Sequence, residues 1–409
     1  MKPFYITYWV SVPKHFILHE DGTLAAERID EVKEAGMDLF VADYDVKTNL
    51  SVMDYCEKIG LKVTVRDDRI ESCVKDPSLI ETNIPAAVRD YQDHPALFDY
   101  YVFDEPNVEA YPALAAVSRK LEELDPAHPP YINLFPNYAN EQQLGTASYD
   151  DYVERYINTV KPHNVSWDHY HFMNSESKKD ETVTFKSERD RLIFENAYLT
   201  TDRAGFFDNL ECVRRHSLAA GLPYMNIVLL IEHGPYRNLT EEEIRFEAMQ
   251  SLCYGCNGLS WFGYWSIKYT EFWHPANPMV DNGKRLKHYY DVKKANADFH
   301  ALGDEIGDRK SVAVFHGNDT SEGTVCFPAD GFGDIRSFSG NAVLGIFEDN
   351  CFVIASKDYV NQTAVELKTE CALERFDKKE LVWKPAECGS ITLAAGDAEL
   401  FRTITEVAI

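Results

Sequence analysis

Two glutamates stand where a chain can carry out acid–base or nucleophilic chemistry. Glu105 follows the aromatic run at residues 100–103 and precedes Pro106. Because proline pushes the preceding residue out of helical geometry, we expect the chain to turn there. Glu232 directly follows five apolar residues. One such carboxyl group can donate a proton while the other attacks the substrate or activates water. Taken alone, each glutamate is equally compatible with a surface charge at the end of a strand.

The elements that position these glutamates form a regular series along the chain. Eight apolar runs of strand length alternate with helical segments, at residues 4–10, 37–42, 61–65, 98–103, 131–135, 165–170, 225–231 and 258–263. This alternation predicts parallel strands, because each connection between them needs a helix. Eight units favour a closed (β/α)8 TIM barrel, and the lack of a glycine-rich turn after the first run disfavours an open doubly wound sheet. Glu105 and Glu232 then end the fourth and seventh strands, at the rim where barrel active sites are built.

The chain changes character after residue 308. Short β-rich pieces follow, separated by turns such as residues 331–333, and this pattern predicts an antiparallel β-sandwich. We therefore divide the sequence into a catalytic barrel domain at residues 1–308 and a small C-terminal sandwich domain at residues 309–409. The polar segment Asn174–Arg191 is expected to form a loop or lid over the barrel mouth.

The bulk composition excludes several classes of partner. The formal net charge is −26, which repels phosphate backbones and anionic lipid, so we expect neither nucleic acid nor membrane as a partner. We expect no secretory signal, and the nine scattered cysteines are typical of a reducing compartment, which predicts a cytoplasmic location. No metal and no cofactor is expected, since Cys253 and Cys256 form a single CxxC without a second pair. A homo-oligomer is left open.

Cleavage of a glycosidic bond is the reaction that two carboxyl groups across a barrel mouth suit best, because one protonates the leaving oxygen and the other attacks the anomeric carbon or activates water. An oligosaccharide or another glycoside is therefore the expected substrate. Its candidate contacts are Trp9, Asp43, Arg66, Asp104, Asn133, Asn137, Asp168, Tyr170, His171, Trp261, Tyr264 and Trp265. The aromatic rings could stack on a sugar, with core packing as the alternative for each. Tyr170 is also expected to hydrogen-bond Glu232. An ordinary turn is the alternative for Asn137, and a structural role is the alternative for His171.

The sequence resembles the clan A glycoside hydrolases, especially barrel enzymes related to the family 42 β-galactosidases. The segments that carry the likeness are Tyr101–Asn107, Ile132–Asn137, Trp167–Phe172, Tyr254–Trp265 and Val280–Gly283. The resemblance implies that Glu105 is the acid/base, that Glu232 is the nucleophile, and that the mechanism is retaining. In one departure, Asp104 stands where the clan usually has asparagine.

Three other functions stay open at this point. An inverting hydrolase or a transglycosylase would use the same scaffold with a different fate for the sugar. A barrel that binds carbohydrate without cleaving it is the second, because a fold does not fix a function. A metal-dependent barrel hydrolase is the third, since His169 and His171 alternate on one strand, although the resemblance to amidohydrolases would require such a pair on the first strand.

Overall fold

The computed structural model describes residues 4–173, 202–267, 275–318 and 323–404. The predicted lid at residues 174–191 lies outside these ranges. The barrel strands are β1 (Tyr5–Trp9), β2 (Leu39–Ala42), β3 (Lys62–Arg66), β4 (Leu97–Asp104), β5 (Pro130–Leu134), β6 (Val165–His169), β7 (Tyr224–Leu229) and β8 (Gly258–Phe262). The helices described are α1 (Lys14–Ile17), α2 (Ala26–Glu34), α3 (Val46–Ile59), α4 (Asp68–Lys75), α5 (Ile80–Tyr91), α6 (Tyr111–Leu124), α7 (Glu141–Leu144), α8 (Tyr149–Val160), α9 (Phe206–Ala220), α10 (Glu241–Cys253) and α11 (Lys287–Ile306).

The eight strands form one parallel sheet in the order β1-β8-β7-β6-β5-β4-β3-β2. Its two ends are joined through Asp38, which lies just before β2. The Asp38 N–H donates to the Ile6 carbonyl oxygen at 2.8 Å, and the Asp38 carboxylate accepts from the Ile6 N–H at 2.8 Å. The predicted barrel, with its eight strand-like runs in the expected order, is therefore confirmed.

Local signals in the sequence start and stop the helices around this barrel. Asp45 caps α3 by accepting from the Thr48 N–H, and Gly60 ends the helix with φ of 77°, a conformation that glycine adopts without strain. Thr240 and Glu243 form a capping box at the start of α10. Among the helices described, none combines the length and the apolar character that crossing a membrane would require.

A two-stranded hairpin, β9 (Val280–Asp281) with β10 (Lys284–Arg285), precedes the last barrel helix. The C-terminal strands are β11 (Ser311–His316), β12 (Ile335–Gly340), β13 (Ala342–Phe347), β14 (Cys351–Ser356), β15 (Thr363–Thr369), β16 (Ala372–Asp377), β17 (Val382–Ala386), β18 (Gly389–Leu393) and β19 (Ala398–Ile404). They pair antiparallel in two sheets, β11-β13-β14-β19-β16-β17 and β12-β15-β18. The predicted β-sandwich is confirmed, although the sequence patterns did not reveal β12, β16 and β19.

The sandwich packs tightly against α10 of the barrel. The Gln250 side-chain amide donates to the Ser356 carbonyl oxygen at 2.7 Å. Gly345 in β13 lies against the backbone of Cys253, so closely that a β-carbon built on this glycine would overlap the Cys253 carbonyl oxygen. Since backbone cannot move aside as a flexible side chain can, glycine is required at this point of contact.

Gly345→Ala should therefore destabilise the protein by about 3 kcal/mol or more, because the methyl group forces β13 away from α10. Gly333→Ala is the matched control. It lies in the same domain with nothing near its would-be β-carbon and a φ of 54°, so only a conformational cost of about 1 kcal/mol is expected. Denaturant unfolding would measure the free energy of unfolding of both variants. Equal losses of stability would show that β13 is not packed tightly against α10.

Candidate active site

A hydrogen-bonded network centred on Asn133 lies at the carboxyl ends of β4, β5 and β6. The Asn133 amide nitrogen donates to Asp104 Oδ1 and to Asp168 Oδ1, each at 3.0 Å. Its Oδ1 atom accepts from the Ser166 hydroxyl at 3.0 Å. Asn133 and Asp168 are almost fully buried, with 3% and 4% exposure. Three neighbouring strands thus bring two carboxyl groups to a single amide.

Glu105 completes this network from the end of β4. The strand has an irregular register between Tyr101 and Phe103, which re-aims the side chains beyond it. The Glu105 N–H donates to the Asn133 carbonyl oxygen at 2.9 Å, and φ of Glu105 is 46°. A left-handed backbone at a residue other than glycine costs about 1 kcal/mol and is concentrated at functional sites.

Burial raises the pKa of Asp168 to about 7, and the charge of Asp104 adds to this rise. The Asn133 amide and the neighbouring Glu105 side chain oppose it without cancelling it. Asp104 is open to the mouth, but the surrounding wall still displaces water and raises the pKa of its carboxyl, against the opposing effects of Asn133 and Arg66. The site therefore holds a proton near neutral pH.

Aromatic rings and one arginine form the wall next to this network. The ring centroids of Trp9 and Tyr101 are 5.3 Å apart. Arg66 lies 5.1 Å from the Tyr101 ring centroid and forms ion pairs with Asp43 at 3.3 Å and Glu71 at 3.1 Å. The predicted contacts Trp9, Arg66 and Asp43 thus lie together on one side of the network, with Arg66 held rigidly by two carboxylates.

Tyr170 lies on another side of the same network. Its ring stacks on Phe262 of β8 with the centroids 5.2 Å apart. Burial raises the pKa of Tyr170, and the charges of Asp168, Glu105 and Asp104 add to that rise, which places its hydroxyl near all three carboxyl groups. The hydrogen bond expected from Tyr170 to Glu232 stays a prediction.

Glu232 lies just beyond β7 and is attached to the connection between β8 and α11. Its N–H donates to the Ala276 carbonyl oxygen at 3.0 Å, and its carbonyl oxygen accepts from the Ala276 N–H at 2.8 Å. The Asn277 side-chain amide donates to Glu232 Oε2 at 3.0 Å. Because β5 and β6 separate β4 from β7 in the sheet, Glu105 and Glu232 approach the mouth from different sides.

Sequence reasoning missed a group of residues beside Tyr170. Arg203 lies 3.9 Å from the ring centroid of Tyr138 and donates to the Tyr236 hydroxyl at 3.4 Å. The charge of Asp168 raises the pKa of Tyr138, and Arg203 lowers it, so an arginine and two phenols border the network. The sequence carries a weak signal for them at best, because Arg203 follows a long polar segment and belongs to no strand.

The structure places three predicted sugar contacts, on β8 and just beyond it, in packed surroundings. Trp261 is fully buried and donates its indole N–H to Asn296 Oδ1 of α11 at 2.8 Å. Tyr264 packs on the buried ring of Tyr8, with the centroids 4.6 Å apart, and Trp265 packs on Phe16 at 4.8 Å. Successive side chains of a strand point to opposite faces, and Phe262 takes the inward direction at the mouth, so Trp261 points to the helices.

Two further candidates make contacts within the protein. His171 packs on Phe206 and Phe246, its Nδ1 atom lies 2.9 Å from the Arg203 carbonyl oxygen, and burial lowers its pKa to about 4. Asn137 donates its amide to the Gly205 carbonyl oxygen at 2.8 Å, and so ties the loop after β5 to the start of α9. These contacts favour the structural alternative for both residues, and their contact with a sugar stays a prediction.

The fold has known counterparts among solved structures. A glycoside hydrolase matches with a TM-score of 0.56 and 11% identity over 99% of both chains. A family 5 glycoside hydrolase from Bacteroides vulgatus matches with a TM-score of 0.57 and 9% identity, over 98% of this chain and 89% of its own. A catalytic mutant of a family 42 β-galactosidase from G. stearothermophilus matches with a TM-score of 0.59 and 9% identity, over 98% and 99%.

The chain has the fold of glycoside hydrolases. The likeness in architecture that the sequence suggested is confirmed at this level, and it includes the family 42 fold. No protein-family model and no curated protein matches the sequence. At identities of 9–11% the relationship is carried by the arrangement of strands and helices rather than by individual residues.

A possible metal ligand set lies outside the mouth of this glycoside hydrolase fold. Within the ranges described, Asp150, Cys212 and His216 place potential ligand atoms within 4.8 Å of one another. Arg215 forms an ion pair with Asp150 and already supplies the positive charge that a metal ion would bring. Burial also raises the pKa of the Cys212 thiol to about 12, and the thiol form is a poor ligand.

The raised pKa of Asp168 predicts a distinctive dependence of stability on pH. Between about pH 4 and pH 7 the folded protein holds a proton that an unfolded aspartate has released, so the free energy of unfolding should fall as the pH rises, by up to about 1.4 kcal/mol per pH unit. Asp168→Asn removes this contribution, and its stability relative to the parent protein should grow across that window and level off above pH 7.

Denaturant unfolding at several pH values would measure this difference. Glu81→Gln is the control, because the Glu81 side chain is 76% exposed and should leave the pH dependence unchanged. A curve for Asp168→Asn that runs parallel to that of the parent protein between pH 4 and pH 7 would show that Asp168 does not hold a proton in the folded state.

Proposed function

We propose that this protein is a retaining glycoside hydrolase in which Glu105 is the acid/base and Glu232 is the nucleophile. The observation that supports the proposal is the contact of the Glu105 side chain with Asp168, whose pKa burial raises to about 7, at the mouth of a barrel whose fold is that of glycoside hydrolases. A proton held in this cluster of carboxyl groups near neutral pH is what protonation of a leaving oxygen by Glu105 would need.

The roles of the two glutamates follow from their surroundings. Glu105 lies among carboxyl groups, since its side chain is in contact with Asp168 and Asp104 is adjacent in the sequence. Glu232 accepts a hydrogen bond from the Asn277 amide, and such a donor can orient the carboxylate that a nucleophile presents. The proposed acid thus lies beside other carboxyl groups, whereas the proposed nucleophile lies beside an amide donor.

In the proposed reaction Glu105 gives its proton to the glycosidic oxygen while Glu232 attacks the anomeric carbon. A glycosyl–enzyme ester forms, and water then hydrolyses it with Glu105 acting as base. Trp9, Tyr101 and Arg66 are the side chains that we propose to contact the sugar ring and its hydroxyls. The substrate is an oligosaccharide or glycoside, and β-galactosides are the first to test because one structural neighbour is a β-galactosidase.

Replacing each glutamate by alanine tests the assignment. With 4-nitrophenyl glycosides, Glu232→Ala should lose about 10³-fold or more in kcat. Glu105→Ala should lose about 10²- to 10⁴-fold in kcat/KM, and most of this loss in kcat/KM should disappear with a 2,4-dinitrophenyl glycoside, whose leaving group needs no proton. With that substrate kcat should stay low, because the missing base still slows hydrolysis of the glycosyl–enzyme. Glu109→Gln is the control, because it is an exposed carboxylate in the same loop. Near-normal turnover by both alanine variants on a good substrate would overturn the proposal.

Azide rescue assigns the role of each carboxylate independently. In Glu232→Ala, azide should enter from the face opposite the leaving group and give a glycosyl azide of inverted configuration. In Glu105→Ala, azide should attack the glycosyl–enzyme and give a product of retained configuration. NMR of the azides, and of the first sugar released by the parent protein, measures both. A first-formed sugar of inverted configuration would make the protein an inverting hydrolase.

A further inference from the structure

The connection between β8 and α11 holds Glu232 at three points. Two are the backbone hydrogen bonds with Ala276, at 3.0 and 2.8 Å. The third is the bond from the Asn277 amide to Glu232 Oε2, at 3.0 Å. The backbone pair fixes where the residue lies, while the amide bond acts on the carboxylate itself. Asn277 is therefore the one among these contacts that can set the direction of the carboxylate.

The backbone of Asn277 is itself held in place. Its φ is 53°, a left-handed conformation that asparagine tolerates better than most residues. The carbonyl oxygen of Asn277 lies 2.6 Å from Nδ1 of His288, and Nε2 of the same ring lies 3.1 Å from the Leu239 carbonyl oxygen. His288 is 2% exposed, so a buried ring of α11 links this connection to the segment that leads from β7 into α10.

We propose that Asn277 is a positioning residue for the nucleophile, and that His288 positions Asn277 in turn. This inference rests on the proposed function. The amide donor on Oε2 fixes the rotation of the Glu232 carboxylate. Asn277 does not need to touch the substrate for this effect. Its contribution should be to the step in which Glu232 attacks, and so should be independent of how good the leaving group is.

Two substitutions separate positioning from filling space. Asn277→Gly removes the amide and keeps the left-handed backbone without strain, and should lower kcat/KM about tenfold. Asn277→Asp keeps the shape and the backbone conformation, but puts a negative charge next to Glu232, and should lower kcat/KM about 100-fold or more. A residue that only fills space or supports the loop would show the reverse order, with glycine the more damaging substitution.

The assay uses a panel of the 2,4-dinitrophenyl glycosides of β-D-galactose, β-D-glucose and α-L-arabinose, since their leaving group needs no acid. The losses should persist with these probes, whereas the loss in Glu105→Ala should not. Asn282→Asp and Asn282→Gly are matched controls, because Asn282 is an exposed asparagine with φ of 46° in the same connection. Both should keep the activity of the parent protein.

The outcomes distinguish this inference from the proposed function. If Glu232→Ala is inactive but Asn277→Asp stays within twofold of the parent protein, only the positioning role falls. If glycine at residue 277 is more damaging than aspartate, the role is structural and the inference is overturned. If Glu232→Ala keeps near-normal activity, both the proposed function and the positioning role of Asn277 are wrong. His288→Phe should lower kcat/KM as much as Asn277→Gly does. Unchanged kcat/KM in His288→Phe would show that His288 does not position Asn277.

Discussion

The side-chain amide of Asn133 binds two carboxyl groups at once, and the arrangement of the barrel mouth depends on this contact. An amide nitrogen has two hydrogens, and at this position each is directed to one aspartate, Asp104 or Asp168. The carbonyl end of the same side chain is occupied by Ser166, so the amide cannot rotate without losing bonds on both sides. The backbone carbonyl of Asn133 in turn accepts from Glu105. One residue of β5 thereby sets the relative positions of three carboxyl groups.

Burying this cluster of carboxyl groups lowers the stability of the fold, and the rest of the barrel compensates for the loss. Burying a carboxylate without a counter-charge is unfavourable, and the group responds by holding a proton. Asp99, deeper in the barrel, shows the same response, since burial raises its pKa to about 7. The closely packed shell of apolar strands and helices that surrounds the barrel contributes the stability against which this cost is set. The stability contributed by the extensive apolar core therefore offsets the free-energy cost of the carboxyl groups at the mouth.

The sequence was enough to predict the barrel and several of the polar side chains that lie together at its mouth. The alternation of apolar runs and helices determines the order of parallel strands, and Glu105, Asn133 and Asp168 could be singled out because each is a polar residue in or directly after the C-terminal half of a strand. It was harder to predict which side chains of a strand point into the barrel and which point to the helices. Trp261 and Phe262 are neighbours on β8, and only the pairing of the sheet decides which of the two rings points into the barrel.

Contacts made through space could not be predicted at all. Arg203 and Asn277 lie in connections without regular spacing, and their partners Tyr138 and Glu232 are 65 and 45 residues away in the chain. No local rule of hydrophobic period or capping refers to such distances. This is also why the proposed acid was easier to suggest from the sequence than the residues around it, since a strand end is a local feature and a hydrogen-bond partner is not.

The sandwich is joined to the parts of the barrel that carry the mouth. Its residue Tyr359 donates to Asp202 and packs on Phe172, with the ring centroids 5.2 Å apart. Arg237 lies over the same phenylalanine ring and pairs with Asp202 at 3.2 Å and with Glu243 at 2.7 Å. Arg237 belongs to the segment between β7 and α10 that also contains Glu232.

One apolar cluster joins the sandwich to the barrel helices, and on the sandwich side it includes Val343, Val353 and Leu400. A domain attached through a continuous core has little freedom to move. The second domain therefore acts as a fixed support behind the segment that carries the proposed nucleophile.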